Sequence, residues 1–378
     1  MTQSNKTQNS HIAPVQHDFM TLHEIIFKAR QKLNLDHWDY IVGGTETETT
    51  LKRNRLALDK LALKPRILRN VKDIDTGTDF FGHHFNLPVL LAPVGSMEIF
   101  AQGGGATSAQ AAQKFGIAHM LSSVCEPGIE GVQSAAPDAV RFFQLYVHGD
   151  MHWVQNMIKR AVDADVKAFC LTVDSAVYSR RERDIAKRYL RRANVPGREY
   201  QAMLDWSQVA QIRKLCPLPL FLKGIETAED AGMALDHGID AIYISNHGGR
   251  QLDHGRGTMD VLPEIVDAVN GKAKLIIDGG FNRGTDIIKA LAMGADMVGL
   301  GRMQCFALAA GGETALVRLL EILQQEVQIA MGLMGVTKIS DLNSSYVTKS
   351  DPVVTPSILS AFPLMSGPLM SGDPNSFY

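Results

Sequence analysis

Cysteine is scarce in this chain: Cys125, Cys170, Cys216 and Cys305 are the only four, and no two form a CxxC pair. That spacing excludes a disulfide framework or a structural zinc knuckle and suits a reducing compartment. An excess of charge of one sign is also missing. A formal net charge of −2 leaves no field to draw nucleic acid or an anionic membrane surface. No apolar run approaches the ~20 residues that a bilayer-spanning helix needs. The polar opening MTQSNKTQNSHIAPVQHD lacks the apolar centre of a signal peptide, and the final SFY is not a peroxisomal address. The expectation is a cytoplasmic protein with no metal, membrane or nucleic-acid partner. Residues 1–18 read as a disordered N-terminus.

What the chain does have is a regular series of short apolar runs. They are LPVLLAPV (87–94), GIAHMLSS (116–123), VRFFQLYV (140–147), VKAFCLTVD (166–174), LPLFLKGI (218–225), IDAIYISN (239–246), AKLIIDGG (273–280) and ADMVGLGR (295–302). Each has strand length and is apolar nearly throughout, as expected for parallel strands covered on both faces. Amphipathic stretches such as ATSAQAAQKF (106–115), MHWVQNMIKRAV (151–162) and GTDIIKALAM (284–293) lie between them. This alternation fits a (β/α)8 TIM barrel or a doubly wound open sheet. The strand count and the polar residues ending nearly every run favour the barrel.

The fold class expected is therefore α/β: a single (β/α)8 barrel over 19–349. Helices from residues 20–60 should cross its bottom or flank. A long helix should cover 313–335 and stop at glycine. The Pro-, Ser- and Gly-rich residues 350–378 read as a C-terminal arm or a disordered tail.

The strand ends carry two sets of polar groups. IIDGG (276–280) and GLGR (299–302) close the last two runs, where barrels often bind phosphate. Their glycines allow close backbone approach, and Arg302 can add a charge. Lys223 ends a strand where burial is costly unless it faces an anion; a solvated lysine is the bland alternative. Ser122, Gln144, Thr172 and Ser245 are neutral hydrogen-bonding residues at four more ends, each alone explicable as a turn or cap. The second set suits a small carboxylate. Arg181 and Arg250 can grip it bidentately, Tyr146 can donate a phenolic hydrogen bond, and His247 can act as a base oriented by Asp174. For His247 alone a structural histidine is the bland alternative, and for RRER a solvated charged face.

The stretch SNHGGRQLD (245–253) resembles the signature of the FMN-dependent α-hydroxy acid oxidase and dehydrogenase family, which includes glycolate oxidase, lactate oxidase and flavocytochrome b2. The resemblance runs from about residue 22 to 340. It takes in NRLALDKLALKPRIL (54–68), LSS (121–123), FFQLYV (142–147), TVDS (172–175), RRERDI (180–185) and the DGG segment at 278–286. It implies a bound FMN. Pro93, Val94 and Gly95 would lie over the flavin. Ser122, Gln144 and Thr172 would bond its polar edge, with Lys223 near N1 and the C2 carbonyl and Ser245 also on the flavin. Asp278 would meet the ribityl chain, and Gly279, Gly280, Gly301 and Arg302 the phosphate.

The resemblance further implies oxidation of an L-2-hydroxy acid to the 2-oxo acid. His247 would be the base, Tyr40, Arg181 and Arg250 would hold the carboxylate, and Tyr146 would reach the hydroxyl. Electrons would pass to O2, giving H2O2, or to another acceptor. Relatives are often homotetramers, so a homo-oligomer is expected. Four positions depart from the family pattern: Gly95, Asn282, Val124 and the SAVYS turn (175–179) with Tyr178. The connection between RRERDI and DWSQV is also short, which implies a more open site and a larger substrate, while Gly95 leaves room for a monooxygenase outcome. A non-redox FMN isomerase or a non-catalytic scaffold would have no use for His247 and two carboxylate-binding arginines.

Overall fold

A computed structural model of the chain describes residues 19–189 and 196–366. Each apolar run contains a strand. They are β1 (Val89–Leu91), β2 (Ala118–Ser122), β3 (Arg141–Leu145), β4 (Ala168–Thr172), β5 (Leu220–Ile225), β6 (Ala241–Ile244), β7 (Lys274–Ile277) and β8 (Met297–Leu300). Each pairs in parallel with the next, and β8 returns to β1 through Val298 beside Val89, so the sheet closes. An open doubly wound sheet would keep two edges; this sheet keeps none.

Side-chain alternation sorts each strand into an inner and an outer face. Ala118, Phe142, Ala168, Phe221 and Ala241 fill the inside of the barrel, with Met120, Cys170 and Tyr243 above them. The alternate residues Leu121, Phe143, Phe169, Leu222 and Ile242 join the core between barrel and helices. The N-terminal mouth is plugged by the antiparallel pair Thr78–Phe80 and His83–Phe85, whose Phe80 ring lies 6.3 Å from Phe142 and 6.2 Å from Phe221.

Only part of the 20–60 region lies where it was expected. Helix Leu22–Lys32 takes the flank, packed on the long C-terminal helix. Helices Leu35–Val42 and Thr49–Asp59 reach the opposite end, the one where the barrel strands finish. Apolar residues bury the inner faces of both, among them Trp38, Ile41, Leu51 and Leu58, and an ion pair ties the second one down. Arg55 of the latter helix donates to both Asp286 oxygens at 2.7 and 2.8 Å, to Asp59 Oδ1 at 2.7 and 2.9 Å, and to the Gly280 carbonyl at 3.1 Å. A buried guanidinium needs such partners, and they stand around the loop that follows β7.

The C-terminal helix runs Arg302–Met334 with a break at Gly311 and Gly312, and stops at Gly335, whose φ of +71° ends the helix in the left-handed region. Beyond it, the described part of the 350–378 segment packs on its own chain. Phe362 is buried edge-on to His23 with ring centroids 5.6 Å apart, and the Ile358 carbonyl accepts a bond from Asn282 Nδ2 at 3.5 Å. The disorder expected for 1–18 falls outside the described residues, as do 367–378. Among the described residues no helix is long and apolar enough to cross a membrane, and no cluster of side chains could hold a metal ion.

Candidate active site

One step above the apolar layers, the same inward parity brings Ser122, Gln144, Thr172, Lys223, Ser245 and Asp278 to the C-terminal end of the barrel, all of them buried. Register fixes their neighbours: Ser122 pairs with Gln144 and Thr172 with Lys223. Lys223 Nζ donates to Ser245 Oγ at 2.8 Å, Ser245 Oγ donates to Asp278 Oδ1 at 2.7 Å, and Lys223 stands 3.7 Å from Asp278 Oδ2. Burial by itself would lower the lysine pKa, but the Asp278 and Asp174 carboxylates outweigh it and hold the ammonium charged. Gln144 Nε2 and Oε1 and Thr172 Oγ1 are buried with no hydrogen-bond partner. Each such group costs about 1–3 kcal/mol if left unsatisfied. A donor–acceptor pair and a hydroxyl left open side by side can take the hydrogen bonds of a polar planar ligand.

After β6 the chain turns sharply. His247, Gly248 and Gly249 follow one another in left-handed backbone, at φ of 57°, 64° and 74°. A β-carbon at Gly249 would lie 2.5 Å from the backbone of Leu51, so only glycine lets the turn close against helix Thr49–Asp59. His247 has no such exemption; its strained backbone is held by the contacts of its ring. His247 Nε2 is 3.1 Å from Tyr146 Oη, and Nδ1 is 3.0 Å from Asp174 Oδ1. Burial lowers the imidazole pKa, Asp174 raises it, and Lys223 and Arg181 lower it again; the result lies below the ordinary 6.5. Burial raises the Asp174 carboxyl, but the charges of His247 and Lys223 prevail and keep it ionised.

Above this dyad stand cations that form no ion pair with a carboxylate among the described residues, although the buried Asp184 carboxyl favours the charge of Arg250 from nearby. Arg250 donates to the carbonyls of Tyr40 (2.5 Å) and Gly43 (3.0 Å) and leaves a buried guanidinium nitrogen unsatisfied. Its charge is disfavoured by burial and by Arg181 nearby. Arg181 bonds Ser179 Oγ at 3.3 Å and Gln251 Oε1 at 3.4 Å. Arg302 is held by the carbonyls of Ile41, Gly248 and Gly43 at 2.8–3.0 Å. Desolvation, with Arg250 adding repulsion, takes its pKa down to about 9. A guanidinium so destabilised gains most from an anion.

These groups surround a single cleft at the strand-end face of the barrel. Tyr40, Pro93, Val94, Gly95, Tyr146 and Arg181 line it, as do Lys223, His247, Arg250, Asp278, Gly279, Gly280, Gly301 and Arg302. Ser122, Gln144, Thr172, Ser245 and Asp174 lie beneath its wall. The departures Gly95, Val124, Tyr178 and Asn282 all face it.

The family of FMN-dependent dehydrogenases matches the chain over residues 29–202 and 187–349. An L-lactate oxidase of Nostoc sp. is 37% identical over 84% of this chain and 95% of its own length. Glycolate oxidase 1 of indica rice is 36% identical over 87% of this chain and 95% of its own. A solved mandelate oxidase superposes with a TM-score of 0.82 at 33% identity, covering 89% of this chain and all of that one. The chain belongs to the FMN-dependent dehydrogenase family. A mandelate oxidase variant of the same fold, 35% identical with a TM-score of 0.81, was solved with an FMN adduct. FMN is the cofactor here as in the family, whose chemistry is the oxidation of 2-hydroxy acids. The open polar atoms of Gln144 and Thr172 and the anion-seeking Arg302 fit such a group.

Within this family frame the short connection after RRERDI does not leave the pocket bare. Helix Arg198–Ala202 returns to it, and Gln201 accepts from the Val147 amide at 2.7 Å while donating to the Thr172 carbonyl at 2.8 Å. Arg198, Gln201, His148 and Ile358 line the cleft and were not legible as site residues. Gln251 was missed inside the very signature that drew attention; it donates to the carbonyls of Asp174 (3.0 Å) and Val177 (3.2 Å) and so ties the base's support to the SAVYS turn.

Proposed function

We propose that the protein oxidises an L-2-hydroxy acid to the corresponding 2-oxo acid, with His247 as the base and with O2, reduced to H2O2, or another molecule as final electron acceptor. The observation that carries this reading is the chain Tyr146–His247–Asp174, joined by contacts of 3.1 and 3.0 Å at the mouth of a cleft that also presents Arg181 and Arg250.

FMN would be held along its polar edge by Ser122, Gln144 and Thr172, beside Lys223 and Ser245. Asp278 would take the ribityl hydroxyls, and Gly279, Gly280, Gly301 and Arg302 the phosphate, with Pro93, Val94 and Gly95 covering the ring. Bound FMN supplies the two-electron acceptor. The protein's task is to place the acid and move its protons. Arg250 and Arg181, with the Tyr40 hydroxyl, bind the carboxylate. Arg250 is already anchored by two carbonyls, so little freedom is lost on binding. Tyr146 orients the substrate hydroxyl. His247 Nε2 accepts a proton as the hydroxyl-bearing carbon becomes a carbonyl, and Asp174 on Nδ1 stabilises the imidazolium that results. A pKa below 6.5 keeps His247 unprotonated, and so able to act, at neutral pH.

The test is anaerobic spectrophotometry of the FMN-loaded protein against a panel of L- and D-2-hydroxy acids, with air readmitted at the end. Bleaching of the flavin by L-acids alone supports the reaction and its handedness; prompt recolouring in air marks an oxidase. No bleaching by any hydroxy acid would overturn the reading.

A further inference from the structure

Four guanidiniums line the cleft, those of Arg181, Arg198, Arg250 and Arg302. Arg302 lies with the phosphate-side glycines. Arg181 and Arg250 are coupled to each other, because Arg181 bonds Ser179 Oγ while that hydroxyl donates to the Arg250 carbonyl. Arg198 is a third cation on the substrate side, and it comes from a separate element. Its guanidinium carbon sits 4.5 Å from the Tyr178 ring centroid and that of Arg181 sits 4.7 Å from the same ring, so one aromatic side chain serves two cations. Among the described residues Arg198 makes no hydrogen bond or ion pair, and its guanidinium rests on the Tyr178 ring.

Two guanidiniums on one aromatic ring repel each other, and an anion bound beside them relieves that repulsion. Burial and the charge of Arg181 both disfavour the charged form of Arg198 in the free protein, a cost that an incoming carboxylate removes. The backbone that carries Arg198 is fixed in place. The helix that carries it is pinned three residues on, where Gln201 bonds the backbone just beyond β3 and at the end of β4. Tyr178, which orients it, belongs to the SAVYS turn, whose Val177 carbonyl is held by Gln251. A cation facing the cleft, one aromatic ring away from the Arg181 assigned to the α-carboxylate, matches a ligand that carries a second negative charge.

We propose that Arg198 and Tyr178 form a distal anion subsite, and that the substrate is a 2-hydroxy acid whose side chain ends in a second carboxylate. This rests on the reaction proposed above and adds the class of acid it acts on.

The experiment compares matched pairs, (S)-2-hydroxybutanoate with (S)-2-hydroxybutanedioate and (S)-2-hydroxypentanoate with (S)-2-hydroxypentanedioate, using the FMN-loaded full chain. The diacid of at least one pair should be preferred in kcat/KM by about tenfold or more, the scale of one charge-assisted contact. Arg198→Met should reduce that preference by about ten- to hundredfold, chiefly through the KM of the diacid, and Arg198→Lys should restore part of it. Should Arg198→Met fail to fold, the wild type still decides: the KM of the diacid should rise more steeply with salt than that of its monoacid. Preference for the monoacids, or a diacid preference indifferent to Arg198, overturns the subsite while the reaction stands. Failure of all four acids to bleach the flavin overturns the reaction and the subsite with it.

Discussion

Asp174 Oδ1 lies 3.0 Å from His247 Nδ1, and the far side of the same ring, Nε2, meets Tyr146 Oη at 3.1 Å. The carboxylate fixes Nδ1 as the protonated nitrogen, which leaves the Nε2 lone pair facing the cleft. Replacing His247 with Gln keeps a side chain of similar reach and removes the base. His247→Gln should retain bound FMN, because nothing that holds the flavin depends on the ring, yet its anaerobic reduction by substrate should slow by about 10²–10⁴-fold, the usual share of acid–base catalysis. Stopped-flow reduction measures this; a rate near wild type would remove His247 as the base.

The pH profile follows from the same contact. The folded-state pKa of His247 lies below 6.5, so kcat/KM should hold through neutral pH and fall only as pH drops through that lower value. Asp174 raises this pKa. Asp174→Asn should therefore move the acid limb to still lower pH, and it should also cut turnover by about 10²-fold or more because the imidazolium loses its counter-charge. A limb that stays in place would mean that another group titrates.

Arg250→Lys tests the carboxylate clamp. A lysine keeps the charge but not the planar fork, and it cannot hold the carbonyls of Tyr40 and Gly43 while also binding an acid. Steady-state kinetics should show KM for the substrate rising about tenfold or more, with a smaller change in kcat.

The barrel was legible because strands buried on both faces are apolar nearly throughout, and eight such runs recur between amphipathic stretches. The polar residues ending those runs were legible for a related reason: Gln144 or Lys223 at the end of such a strand has nowhere to go but inward or just above the barrel. Arg198 and Gln201 were not legible. They lie in a short connection without apolar period, and only the tertiary bonds of Gln201 bring that helix back to the cleft. Nor could sequence reasoning set Thr49–Asp59 at the strand-end face, since an amphipathic helix does not state which surface it covers; the bonds of Arg55 tie it there. The tail read as arm or disorder because Pro and Ser dominate it, while its buried anchors Phe362 and Met365 carry no periodic signal.

Lys223 is the one ammonium in the buried ring that includes Ser245 and Asp278. Its charge is maintained by Asp278 and Asp174 against burial, and it would stabilise negative charge that grows on the flavin during the reaction. Lys223→Met should make the bound flavin harder to reduce, shifting its potential to more negative values in an equilibrium titration. Reduction by substrate should slow by at least about tenfold. An unchanged potential would leave Lys223 with a structural role only.

Arg55 links stability to the loop that follows β7. Its fork grips both oxygens of Asp286, which in turn accepts the amides of Asn282 and Arg283 at 3.0 Å, and the same guanidinium bonds the Gly280 carbonyl. Burial raises the Asp286 carboxyl, but the Arg55 hydrogen bonds and charge prevail and hold its pKa below 3.8. The sign of the linkage follows: the stabilisation is present above the unfolded pKa and is lost as pH falls through the lower folded one. Arg55→Met strands a buried carboxylate and should cost about 3–5 kcal/mol, read as a lower Tm at neutral pH. Asp286→Asn in the same chain removes the stranded charge but keeps an oxygen to accept the two amides, so the double variant should recover part of the loss. FMN affinity should weaken in Arg55→Met as well, because Gly280 loses its tether. If the single variant melts like wild type, the ion pair is not what holds this helix over the end of the barrel.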